Sequence, residues 1–108
     1  MDEAQQQEIV EALKLKYPAA QLHSIGSEAG GVFVVHRHAS AAERRIYRGL
    51  KEEGKQLDAQ DSLMSCVVYP EKVEFKKLCD EAPFFVEIVE NAILAASGIY
   101  LDAVRKKL

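Results

Sequence analysis

The chain has 108 residues, 48% of them hydrophobic and 29% charged, and its 17 acidic against 14 basic side chains leave a formal charge of −3. That length accommodates one hydrophobic core and not two ordinary domains, so residues 1–108 are expected to form a single domain that needs neither metal nor disulfide to fold. The acid excess counts against a dedicated nucleic-acid binder, and no apolar run approaches the roughly 20 residues that cross a bilayer.

Behind a polar, frayed start at Asp2, Glu3 and Gln5, a first helix places Ile9, Val10, Leu13 and Tyr17 on one face before Pro18 ends it. Between Ala20 and Arg37 two apolar-rich runs, QLHSIG and GVFVVHR, flank a polar interruption, which is the pattern of an antiparallel hairpin. Val32 to Val35 are β-branched or aromatic, and Gly30-Gly31 supplies the positive φ of a tight reversal. Ser40 and Glu43 have capping-box spacing, so a second helix should begin there, with Ala42, Ile46 and Leu50 as its buried stripe and Gly54 closing it.

Asp58 or Asp61 can cap the next helix, which would bury Leu63, Met64, Val67 and Val68 and stop before Pro70. A proline lacks an N–H and pushes its predecessor out of helical geometry, so Pro70 and Pro83 are each expected at a first helical position after a break. The helix after Pro70 carries Phe75, Leu78, Cys79 and Ala82 on one face. The helix after Pro83 carries Phe85, Ile88, Val89, Ala92, Ile93 and Ala96, a face broad enough for the central helix, which Gly98 ends. The fold class expected is α+β and mostly helical, with about five short helices and one antiparallel β-hairpin near the N-terminus.

Chemistry-bearing residues are sparse. Cys66 and Cys79 are too far apart for a CxxC knuckle and sit among aliphatic residues, the pattern of two reduced, buried thiols in a cytosolic protein. His36 and His38 share a strand face, and a hairpin closing around Glu28-Ala29 brings His23 near Val34. No Asp, Glu or Cys nearby completes a ligand set, so exposed edge histidines are expected and no metal. Nucleophile, base and oxyanion donor all lack a candidate, and no enzyme and no cofactor are expected.

Two surface features remain. Arg44, Arg48, Lys51 and Lys55 recur at helical spacing on the second helix, facing away from Ile46 and Leu50; a solvated face partly neutralised by Glu52 explains them as simply as a steering patch does. On the central helix Glu87, Glu90, Asn91 and Ser97 form the polar side, yet Leu94 lies among them with Phe84 at the margin. With Tyr100 and Leu101 beyond Gly98 these make an apolar patch suited to a partner.

Phe33 to Arg37, Glu43 with Tyr47, Cys66 to Pro70, Phe75 with Leu78, Pro83, and Ile88 to Gly98 together give an order of elements and motifs that resembles the small tail-assembly chaperones of tailed bacteriophages and prophages. The resemblance implies a non-enzymatic protein of the bacterial host cytoplasm that keeps the long tape-measure protein soluble while tail-tube subunits assemble round it. The implied partner is a larger apolar client, the tape-measure protein and beside it the tail-tube protein; self-association is open, and neither membrane nor nucleic acid is expected. Phe84, Leu94, Tyr100 and Leu101 would take the apolar segment, and Arg44, Arg48 and Lys51 would assist encounter. Two rivals stand beside this: a nucleic-acid-associated regulator using Arg37, Arg44, Arg48 and Lys51, and a virion component such as a tail connector.

Overall fold

A computed structural model describes residues 2–26 and 32–97. Along the chain these form α1 (Glu3–Lys14), a 3-10 turn (Ala19–Gln21), β1 (Leu22–Gly26), β2 (Phe33–Arg37), α2 (Ala41–Glu52), α3 (Gln56–Met64), β3 (Val67–Tyr69), α4 (Lys72–Glu81) and α5 (Phe85–Ala96). The fold is α+β and mostly helical, as the periodicities predict, but its sheet has three antiparallel strands in the order β1-β2-β3. The expected Gly30-Gly31 reversal and the Gly98 helix stop lie outside the described residues.

The third strand corrects the sequence reading at Val67 and Val68, which were expected at the end of a helix. Three consecutive residues, Val67, Val68 and Tyr69, are β-branched or aromatic, and the residue before Pro70 disfavours helix. With β2 offering a free edge, extended pairing wins: Val35 faces Tyr69 and His36 faces Val67, with a register irregularity between them. The Tyr69–Pro70 peptide is cis.

Helix ends follow local chemistry with three departures from expectation. Asp2 accepts from the Gln5 N–H at 2.8 Å and the Gln5 side chain reaches back to the Asp2 N–H at 3.1 Å, so α1 starts in a formed capping box instead of fraying. Gly54, at φ 78°, turns the chain from α2 straight into α3, whose cap position is Lys55; Asp58 lies in the first turn, favourable to the helix dipole, and Asp61 lies deeper. Neither proline opens a helix. Pro70 and Pro83 each stand just before the cap residue, Glu71 and Phe84, because their steric demand acts backwards on Tyr69 and Ala82.

Successive strand residues point to opposite sides, so Val34 and Ile25 face the helices while Phe33 and Val35 face the other way, where α1 borders a shallow hollow with Ser24 and Phe33. The helical side of the sheet joins Ala39, Tyr47, Ala59, Leu63, Cys66, Phe75, Val89 and Ile93 in one buried cluster. Two assignments within it change. On α2 the buried residue is Tyr47, while Ile46 is 57% exposed. On α5 Val89 and Ile93 are fully buried and Ala92 half-buried, but Ile88, expected in the core, is 51% exposed. α5 is apolar on most of its circumference, so its pattern left the orientation open, and α3 packing settles it.

Candidate partner-binding surface

Three polar contacts fix the elements that display the surface. The Ser40–Glu43 capping box forms as read, with Glu43 N–H donating to Ser40 Oγ at 3.2 Å and Ser40 N–H to Glu43 Oε1 at 2.9 Å. The same carboxylate takes both arms of Arg37, at 2.7 and 2.8 Å, and a further donation from Ser65 Oγ at 3.3 Å. Beside the Arg37 guanidinium its carboxyl is held down to about 2, and the guanidinium is stabilised in its charged form in turn. Arg37 thus ties β2 to α2 and is committed there, which weakens its assignment to a nucleic-acid surface.

Glu90, expected on the solvated side of α5, is buried instead. Tyr47 Oη donates to its Oε2 at 2.8 Å and Gln60 Nε2 to its Oε1 at 3.2 Å, so α2, α3 and α5 meet at one satisfied carboxylate. Burial, with that carboxylate next, pushes the Tyr47 hydroxyl up to about 12. Tyr47→Phe removes one of the two partners of a buried carboxylate and should cost about 1.5–3 kcal/mol, the range for a hydrogen bond to a charged group, read as a lower urea midpoint at unchanged slope.

At the far end of α5, Ser97 Oγ accepts from the Ala39 N–H at 2.9 Å and Arg44 Nη1 donates to the Ser97 carbonyl at 2.9 Å. A cation on the last carbonyls of a helix is the favourable sign. Ser97, read as a surface residue, is therefore buried, and Arg44 serves the fold. Of the remaining stripe, Lys51 lies 5.8 Å over the Tyr47 ring and donates to Gln56 at 3.4 Å, Lys55 pairs with Glu53 at 3.3 Å, and Arg48 is exposed. Arg44, Arg45 and Arg48 line a shallow open hollow.

The apolar patch is regrouped. Phe84 is 73% exposed, as expected. Leu94 is half-buried and packs on the core cluster, so it is withdrawn from the patch. Tyr100 and Leu101 lie outside the described residues. The residue that sequence reasoning missed is Ile88, one helical turn from Phe84 on the same exposed side of α5, with Glu87 beside it. The i, i+4 spacing from Phe84 was the available signal, hidden by the breadth of the apolar face.

The thiols are as unreactive as their neighbours imply. Cys66 is buried and burial pushes its thiol up to about 11; Cys79, expected buried, is half-buried and also raised by desolvation. The histidines differ from expectation more. His23 pairs with His36 and not with Val34, and His36 is 2% exposed instead of lying at an open edge. Among the described residues no group of three or more His, Cys, Asp or Glu is arranged to hold a metal ion, and no helix is long and apolar enough to cross a membrane.

No family model, curated protein or solved structure matches the chain. The functional reading therefore rests on its own residues and on the motif resemblance.

Proposed function

We propose that the protein is a non-catalytic tail-assembly chaperone of the phage or prophage type, which binds an apolar segment of a tape-measure client and keeps it soluble during tail morphogenesis. The observation that carries this reading is the exposed pair Phe84 and Ile88, the cap residue and first turn of α5, on a helix whose other large apolar side chains are buried or half-buried. Burial of such a pair is non-directional and worth roughly 25 cal/mol per Å², which suits capture of apolar character over a wide range of sequences. Arg48 and Lys51 are exposed on α2 and act on encounter rate more than on affinity.

The test is co-expression with a tape-measure protein, scoring the client's soluble fraction. Phe84→Asp and Ile88→Asp should each leave the domain folded by circular dichroism and return the client to the insoluble fraction. Equal client solubility with wild type, with either variant and with no partner would end the reading, and recovery of the protein in purified particles would favour the tail-connector alternative. Binding to nucleic acid that weakens steeply with salt would favour the regulator alternative, since only phosphate contacts release counterions.

A further inference from the structure

We propose that His23, His36 and His38 form a proton-operated latch on the edge strand β1, closed at neutral pH and released as His36 and His38 acquire charge. His23 and His36 face each other directly across the β1–β2 pair, with ring centroids 5.6 Å apart and planes within 19°. His38, just past β2, stacks on the same His23 ring at 4.7 Å and 21°. The Nε2 atoms of His23 and His38 are in hydrogen-bond contact. Two imidazole nitrogens can meet in this way only if one carries the proton and the other offers its lone pair. When both rings are charged, two N–H groups and two cations confront each other at that contact.

His23 is exposed to water, and among the described residues no carboxylate on the elements packed against these rings is placed to neutralise the charge. His36 is 2% exposed, and desolvation is the main cause holding it below its ordinary value, followed, after an opposing hydrogen bond to the Arg37 carbonyl, by His23 and His38. His38 is lowered by desolvation and by His23. On β1 the neighbours Leu22 and Ser24 are uncharged; on β2 the Arg37 guanidinium is committed to Glu43. β3 sets Val67 opposite His36, with Tyr69 further on and the Cys66 thiol neutral. α5 has two carboxylates, of which Glu90 is bound by Tyr47 and Gln60, and Glu87 is exposed. Well above the ordinary histidine value of 6.5 His36 and His38 are neutral in the folded and the unfolded chain and the latch contributes in full. As pH falls through that value, the opened chain takes up protons at His36 and His38 that the closed latch disfavours, so closure is progressively lost.

Because β1 is an edge strand whose far end is closed by the His38 N–H donating to the Gln21 carbonyl at 3.1 Å, its release uncovers the β2 edge without dismantling the helices. The test is amide hydrogen exchange on the full chain, corrected for intrinsic rate, between about pH 8 and about pH 5, the range in which histidine titrates. As pH falls, β1 amides should lose protection that α3 amides keep, because the protons are refused at His36 and His38 and not in the helical core. In His23→Gln, and independently in His38→Gln, that extra loss should shrink, leaving the part that burial of His36 causes by itself. Protection of β1 that follows α3 across the whole range in the wild-type chain, or an extra loss of undiminished size in both variants, overturns the proposal.

Discussion

Ile93→Ala should lower the unfolding free energy by about 2–5 kcal/mol, the cost of a large-to-small change where the surroundings cannot collapse into the space. Ile93 is fully buried, at the crossing of α5 with α3 and the sheet, and it belongs to the cluster that includes Leu63, Val89 and Phe75. Its contrast is Ile88→Ala, five residues earlier on the same helix, where the side chain is about half in water already. That substitution should stay within about 0.5 kcal/mol, the range of surface changes. Urea titration of both variants reads the difference as midpoint shifts at constant slope. Equal shifts would mean that α5 is rotated from the orientation described here. The pair also separates stability from function, since Ile88 is the position at which client binding should suffer.

Glu43 is the second position with a large expected effect. Its carboxylate accepts from Arg37, from the Ser40 N–H and from Ser65, and both members of the ion pair are only about a quarter exposed, at 25% for Arg37 and 22% for Glu43. Hydrogen bonds to charged groups contribute about 1.5–3 kcal/mol, and Glu43→Ala removes these together and leaves the guanidinium of Arg37 poorly solvated. The sign of the pH effect follows from the direction of the shift. A carboxyl held at about 2 in the fold and near 4.5 when free gives stability that is complete above 4.5 and declines as pH falls towards 2. Wild type should therefore lose stability through that acid window, and Glu43→Gln, which cannot titrate, should show a flatter profile. Parallel profiles would show that the Arg37 pair is not closed in solution.

Local signals in the chain were strong wherever one residue type decides the backbone. Ser40 with Glu43, Gly54, and the Val32–Val35 run all specify structure through their own bonds and rotamers, and each stands where it was read. The errors lie where tertiary partners choose between local options. Val67–Tyr69 could continue α3 or extend, and the open side of β2 decides. The apolar face of α5 is broader than its contacts need, and Leu94 stands within its polar side, so Ile88 and Leu94 exchange roles once α3 and the sheet select a side. Glu90 and Ser97 look like surface residues in isolation; their burial depends on Tyr47, Gln60 and Ala39, at separations of 43, 30 and 58 residues that no local pattern reports. The candidate surface was legible to the extent of Phe84 and the basic stripe, and the stripe's commitment of Arg44 to α5 was not.

Glu43 joins β2, the start of α2 and the connection from α3 to β3, whereas α1 buries none of its residues. Local openings of a protein divide along such lines. The middle of the chain must loosen as one cooperative unit, since no part of it can leave without stranding a charge, while the N-terminal helix can detach without breaking those polar ties, at the cost of wetting Phe33 and Val35 on the face it borders. Wherever a partner or a second chain needs the outer face of the sheet, where Phe33 and Val35 lie, α1 is the element that can yield it with the rest of the fold intact.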